Sequence, residues 1–133
     1  MRRLLVLAAL LFTPALAQST SPLLKPAPLS AACQSAGYRV WADPQGRPRV
    51  LRYRVNIPDY GRSLTQYYDA RGRLLTLKAS FSGFVGPMYN LTARLDGKGN
   101  ILSETGYRRP DYAVNLKNLI VDVRSVLAGR CPA

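Results

Sequence analysis

The stretch that decides the fold is DARGRLLTLKA at residues 69–79, because it joins a tight turn to an alternating strand. A type I turn favours Asp at its first position, where the carboxylate accepts backbone N–H groups, and Gly at its fourth, where φ is positive. Asp69 and Gly72 occupy these two positions. Apolar and polar residues then alternate as far as residue 81, which is typical of a strand with one solvent-exposed face.

The same four-residue turn occurs twice more in the chain. DPQGRPRVLRY at 43–53 places Asp43 and Gly46 in the turn positions, and DGKGNILSETG at 96–106 places Asp96 and Gly99 there. The three Asp residues are 26 and then 27 positions apart. This regular spacing predicts a repeated hairpin, one for every two strands, in which the Gly lies in a bulge beside the first strand pair.

The alternating segments between the turns predict an antiparallel sheet with one polar face. In residues 49–57, for example, Leu51 and Tyr53 point to one side while Arg52 and Arg54 point to the other. We expect six strands, near residues 38–42, 49–57, 64–68, 73–81, 89–95 and 101–107.

The links between the hairpins, NIPDYGRS at 56–63 and SGFVGPM at 82–88, are longer than the turns. The second is apolar for a loop, which favours packing back over the sheet edge. The alternative is an exposed contact surface formed by Phe84, Val85 and Met88.

The C-terminal region has a different period. Apolar residues recur at spacings of three and four from Ala113 to Leu127, which predicts an amphipathic helix. Asp111 is placed to cap its start and Gly129 to end it. We therefore expect an α+β domain, an antiparallel β-meander of about six strands in three hairpins, with this helix packed on one face.

One stretch resembles a known repeat. YYDARGRLLTL at 67–77 is similar to the YD repeat of the Rhs type, matching it at Tyr68, Asp69, Gly72, Arg73 and Leu74. The turn at Asp43 matches in part, and the turn at Asp96 matches only in its Asp and Gly. The resemblance implies a β-hairpin and carries no function over to this chain.

The first 17 residues have the three features of a secretory signal peptide. Arg2 and Arg3 form a positive start, residues 4–12 are apolar, and Ala15-Leu16-Ala17 is a cleavage pattern. A buried N-terminal helix is the alternative. Cleavage would leave 116 of 133 residues and lower the net charge from +12 to +10, because Arg2 and Arg3 are lost. Residues 18–28, rich in Ser and Pro, are expected to be a flexible leader, and residues 29–133 a single domain.

The signal peptide predicts export to the periplasm, the cell envelope or the medium. No second apolar stretch reaches the length of a membrane span, so we expect no integral membrane segment. Cys33 and Cys131 are the two cysteines, and an exported chain favours a disulfide between them, worth about 4–5 kcal/mol for so long a loop. Two free thiols or an intermolecular bridge are the alternatives.

The composition argues against most catalytic chemistry. The chain has no His, which removes the commonest general base and zinc ligand. Glu104 is the one acid placed mid-strand, where a surface ion pair is favoured over catalysis. We therefore expect no catalytic residue, metal or cofactor. A nuclease that uses Glu104 is the enzymatic alternative.

What remains is a strongly basic surface. Arg52, Arg54, Lys78 and Arg94 are expected on the polar face of neighbouring strands and are our candidate anion-binding residues. An Arg-rich surface of purely compositional origin is the alternative. The sequence therefore predicts an exported non-catalytic module that binds an anionic polymer, a lipid surface or an acidic protein. A small inhibitor or accessory protein of another exported protein is the second interpretation.

Overall fold

The computed structural model describes residues 23–132. The predicted signal peptide and the first part of the predicted leader lie outside these residues. The described part contains seven strands and three short helices, in this order: β1 (Lys25–Pro26), α1 (Ala31–Ser35), β2 (Tyr38–Ala42), β3 (Pro48–Ile57), β4 (Tyr60–Tyr68), β5 (Leu74–Gly83), β6 (Gly86–Leu95), β7 (Ile101–Arg108), a 3-10 helix (Leu116–Leu119) and α2 (Val123–Leu127).

The strands form one antiparallel sheet in the order of the sequence, from β1 to β7. The predicted antiparallel meander is confirmed, but it has seven strands and not six. The additional strand is the short β1, in which Lys25 pairs with Ala42 and Pro26 with Trp41. Its two residues fall within the segment expected to be a flexible leader. They carry no periodic pattern, since a two-residue strand is too short to show one.

Each Asp-x-x-Gly segment forms the tip of a hairpin, and all three tips lie at the same end of the sheet. In the turn at Asp69, one carboxylate oxygen accepts the N–H groups of Arg71 and Arg73 at 2.8 and 3.0 Å. The other oxygen accepts the guanidinium Nε of Arg73 at 2.7 Å. The turns at Asp43 and Asp96 repeat both features, with Arg47 and Asn100 in the place of Arg73.

The links at the opposite end are tight turns, so the prediction of longer loops there was wrong. Strand β3 runs to Ile57 and pairs it with Tyr60 across Pro58 and Asp59. Strand β5 likewise runs to Gly83, which pairs with Gly86. Asp59 adopts a positive φ of 61°, which short polar side chains tolerate in hairpin turns.

The predicted C-terminal helix was also wrong over most of its length. Asp111 pairs with Arg109 and caps no helix. Only four residues form the 3-10 helix and five form α2, each capped by its own Asx side chain, Asn115 and Asp122. Four of the residues from 114 to 123 are β-branched and three are Asn or Asp, so helix propensity is low and local capping is favoured.

The C-terminal segment nevertheless covers the apolar face of the sheet. Leu116 is buried in the larger core cluster, with Leu77, Leu91 and Ala93 of the strands. A second cluster joins α1 and α2 to the first strands and contains Cys33 and Val126. The predicted disulfide is confirmed between Cys33 and Cys131, with a Cα–Cα distance of 5.6 Å.

Candidate anion-binding face

The strand register divides the side chains of the sheet between a covered face and an open face. One row of the open face crosses from β2 to β6, each residue paired with the next: Arg39, Arg52, Thr65, Lys78 and Thr92. The rows two residues along the strands share this face. They consist of Trp41, Val50, Tyr67, Thr76 and Arg94 on one side and of Arg54, Ser63, Ser80, Asn90 and Tyr107 on the other. We call these three rows the open face.

All four candidate anion-binding residues lie on the open face, but they do not form one compact cluster. Arg52 and Arg54 are two residues apart on β3, and Lys78 lies two strands away from Arg52. Arg54 and Arg94 are separated by three strand spacings and four residues of register, which corresponds to roughly 20 Å. The face therefore offers dispersed positive charge rather than a single anion pocket.

The densest positive charge lies at Arg39 and Arg52. These residues are direct cross-strand partners on β2 and β3, and the Arg39 guanidinium donates to the carbonyls of Gln34 and Tyr38 at 3.1 and 2.7 Å. Such a like-charged pair is destabilising unless a counter-ion lies near it. The guanidinium of Arg52 lies 5.0 Å from the centre of the Trp41 ring, and its buried Nε has no hydrogen-bond partner among the described residues.

Sequence reasoning missed Arg39 and Trp41. The signal was present in YRVWA at 38–42, where alternation puts both residues opposite the buried Tyr38 and Val40. A five-residue strand is too short to show a clear alternation, so the anion-binding residues were predicted on the longer strands.

An open groove of about 310 Å³ lies beside this arginine pair. Pro26, Ala27 and Leu29 form its apolar wall, while Trp41 and Arg52 line the side of the sheet. The groove exists because β1 covers only the end of β2. It combines an aromatic ring, apolar surface and a guanidinium within one recess.

A second cation–aromatic pair lies further along the open face. The Lys78 ammonium is 5.7 Å from the centre of the Tyr67 ring. Hydroxyl groups fill the positions between the cations, and those of Ser63 and Ser80 are hydrogen bonded at 2.6 Å. Uncharged donors and cations therefore dominate this surface.

Acidic side chains are absent from the open face of the described sheet, residues 23–132. The one acid within a strand is Glu104, which pairs with Ala93 of the covered face and binds Arg108 at 2.7 Å. Asp111 binds Arg109, and Asp122 caps α2. The remaining acids lie in turns, so nothing on the open face offsets its five positive charges.

The hairpin tips differ from the open face because three of the cations at or beside them are paired with Asp. Asp43 binds Arg47 at 2.9 Å and Arg49 at 3.6 Å, and Asp69 binds Arg73 at 2.7 Å. The backbone N–H of Arg73 is the main cause that lowers the pKa of Asp69, and this carboxylate therefore stays charged. The tips carry less free positive charge than their sequence suggests.

The opposite end of the sheet carries an apolar tip. The side chain of Phe84 is 85% exposed and that of Val85 is 66% exposed, and Ile57 projects from the neighbouring turn. The expected packing of this loop over the sheet edge was therefore wrong for Phe84 and Val85, although Met88 packs against the core. A two-residue turn leaves its side chains no surface to fold back on.

No protein-family model, no curated protein and no solved structure matches this chain. Among residues 23–132, no helix has the length and hydropathy needed to cross a bilayer. The same residues contain no group of three or more His, Cys, Asp or Glu side chains arranged to hold a metal ion.

Proposed function

We propose that this protein is an exported, non-catalytic module that binds an extended anionic polymer along the open face. The observation that carries the proposal is the direct pairing of Arg39 with Arg52, beside Trp41, on a face without acidic side chains. A bound phosphate or carboxylate would offset the like charges of this pair and accept the guanidinium donors that the carbonyls of Gln34 and Tyr38 do not occupy.

The spacing of the charges favours a polymer over a small anion. Arg54, Lys78 and Arg94 are dispersed over roughly 20 Å of the open face, which matches successive charges along a chain. Trp41 and Tyr67 are available for stacking on rings of such a polymer. An anionic bilayer and an acidic protein are the other partners that the test distinguishes.

Trp41 provides a direct assay, because it is the only Trp in the chain. Its fluorescence is titrated with soluble polyphosphate, with single-stranded DNA and with vesicles containing anionic lipid. Neutralising three to five phosphates predicts a log–log salt dependence with a slope of about −2 to −4. Arg52→Gln is expected to weaken polyphosphate binding by roughly three- to tenfold, because it removes one paired charge from the centre of the face.

Arg71→Gln is the matched control, since it removes the same charge from a hairpin tip away from the open face. Equal weakening by the two variants would mean that net charge alone drives binding, and an affinity independent of salt would also contradict the proposal. Binding to vesicles alone would assign the face to a lipid surface.

The exposed apolar tip favours a second candidate, a small inhibitor or accessory protein that docks on one exported protein. Phe84 and Val85 are exposed in a turn at the same end of the sheet as the exposed Ile57. A cross-linking pull-down should then yield one stoichiometric partner that Phe84→Ser abolishes. The same variant should leave the polyphosphate titration unchanged.

A further inference from the structure

The covered face contains a cationic pocket that the open-face proposal does not use. Arg62 of β4 pairs with Val55 and Phe81, and Phe81 pairs with Tyr89, so Arg62 belongs to the row that faces the C-terminal segment. Two cavities, of about 190 and 130 Å³, both have Arg62 in their walls. The Arg62 guanidinium thus lies between two recesses on the face of the sheet that the C-terminal segment covers.

Tyrosines surround this arginine. Tyr53 and Tyr89 line the larger cavity, Tyr60 and Tyr112 line the smaller one, and Tyr38 completes the larger wall. The rings pack on one another, with centroid distances of 4.7 Å between Tyr38 and Tyr53 and 6.0 Å between Tyr89 and Tyr112. This packing holds the aromatic walls in place independently of any ligand.

No acidic side chain lines either cavity within residues 23–132. The ion pairs of the described part use Arg47, Arg49, Arg73, Arg108 and Arg109, and none uses Arg62. A half-buried charge without a carboxylate is costly, and a bound anion would offset this cost.

The charge of Arg62 is nevertheless retained. Desolvation lowers its pKa, but the hydroxyl of Tyr60 and the nearby Tyr89 and Tyr53 raise it by more, and the net change is upward. The guanidinium is therefore a permanent cation in the physiological range.

Apolar side chains form the floor and the roof of the larger cavity. Leu64 and Ala79 form its floor on the sheet, and Leu119, Ile120 and Val121 form its roof. Asn118 adds an amide, while the hydroxyl of Tyr38 is engaged with the carbonyl of Pro132 at 3.1 Å. Ser63 also lines this cavity, which therefore combines a cationic end and other polar groups with apolar side chains on its floor and roof.

We propose that this pocket binds a small organic carboxylate, with its carboxylate on the Arg62 guanidinium and its apolar tail beneath residues 119–121. The forked donors of Arg match a carboxylate in bidentate geometry, and the apolar side chains of the floor and roof can contact a short hydrocarbon chain. The volume admits one small molecule and no polymer, which distinguishes this site from the open face.

The test compares hexanoate with hexanamide, which has the same length and no charge. Binding is followed by two-dimensional NMR on the intact chain, with the Ala79 methyl and the Tyr89 ring as reporters in the pocket. Hexanoate is expected to shift these signals with an affinity at least tenfold higher than that of hexanamide. Because the chain has no His, the affinity of hexanoate should stay constant from neutral to mildly alkaline pH.

Arg62→Met is expected to remove the preference for hexanoate, and Arg71→Met at a hairpin tip should retain it. Arg62→Met should also leave the polyphosphate titration of Trp41 unchanged, so that the hexanoate site and the open face are tested independently. If Arg62→Met does not fold, the comparison of hexanoate with hexanamide on the unmodified chain still decides the question.

Residue 133 lies outside the described residues but follows Pro132 of the cavity wall, so competition between this residue and hexanoate is tested. A chain extended by two residues after Ala133 is titrated in parallel. Binding of hexanoate to both chains, or only to the extended one, supports the site. Equal binding of hexanoate and hexanamide, or no binding to either chain, would overturn the proposal.

Discussion

At the scale of single residues, Gln66 joins the two layers of the protein. Its side chain is fully buried on β4, where most neighbours are apolar. Its amide oxygen accepts the N–H of Val121 at 2.7 Å, and its amide nitrogen donates to the Val121 carbonyl at 2.9 Å. One side chain thus satisfies both backbone groups of a residue that belongs to no helix or strand.

Gln66→Leu should destabilise the fold by about 2–4 kcal/mol, because two backbone groups of Val121 would lose their hydrogen-bond partners between the sheet and the C-terminal segment. Urea unfolding measures the change. The control is Thr65→Val on the open face, which is expected to stay within about 0.5 kcal/mol of the unmodified chain. A neutral Gln66→Leu would show that the C-terminal segment is held by apolar packing alone.

Two glycines with positive φ should respond differently to alanine. A Cβ on Gly106 of β7 would lie 2.1 Å from the Asn90 carbonyl oxygen, whereas a Cβ on Gly86 would meet nothing within 4 Å. Both substitutions strain the backbone by about 1 kcal/mol, and the clash should raise the cost for Gly106→Ala to about 3 kcal/mol or more. Thermal unfolding of the two variants tests this order, and equal losses would contradict the close approach of β6 and β7.

At the scale of elements, the three Asp-x-x-Gly hairpins share one pattern of hydrogen bonds to the Asp carboxylate. Each carboxylate accepts two backbone N–H groups of its own turn. The pKa of each of the three Asp residues is lowered, mainly by the Arg73 N–H at Asp69 and by the Asn100 amide at Asp96. At Asp43, desolvation opposes the shift, but the bonds from Arg47 outweigh it.

These shifts predict acid sensitivity. A lowered pKa in the folded state stabilises the fold above the unfolded value, near 3.8, and this stability is lost as the pH falls through the folded value. We therefore expect the free energy of unfolding to decrease steadily below about pH 4. Asp69→Asn should flatten this decrease, while Gln45→Ala, a substitution in a turn without a change in titration, should not. The urea midpoint of each variant is measured across the acid range. If Asp69→Asn and Gln45→Ala show the same dependence on pH, the Asp69 carboxylate does not cause the acid sensitivity.

At the scale of the whole molecule, one covalent link closes the two-layer structure. The bridge between Cys33 and Cys131 spans 98 residues and joins α1, at the start of the sheet, to the end of the covering segment. Most of the sheet and its cover therefore lie inside one loop, and this loop restricts the unfolded chain more than a short one would.

Replacing both cysteines by Ala should lower the free energy of unfolding by about 4–5 kcal/mol, the chain-entropy value for a loop of this length. Equilibrium unfolding in urea, with and without a reducing agent, measures the loss. Reduction should destabilise the unmodified chain and leave the double variant unaffected. A reduced protein that is as stable as the oxidised one would contradict the assignment.

Much of the sheet could be predicted from the sequence, because its signals are local. Alternation with period two and the turn residues at fixed offsets gave the antiparallel meander, and the same alternation placed Arg52 and Lys78 on one face. The strand ends and the tight turns at Asp59 and Phe84 were missed, since pairing between neighbouring strands extends a strand beyond its alternating core.

The short-range features of this protein follow from its amino-acid order alone: which residues alternate and which Asp residues can close a turn depend on a few neighbouring backbone groups. The path of the C-terminal segment and the position of Arg62 depend instead on contacts in the folded protein. Apolar spacing predicted a helix there, but Gln66, 55 residues earlier, binds both backbone groups of Val121 and holds them in a non-helical conformation. Contacts between residues so far apart produce no periodic pattern in the sequence. They prevent a continuous helix here because they replace the backbone hydrogen bonds that a helix would have made.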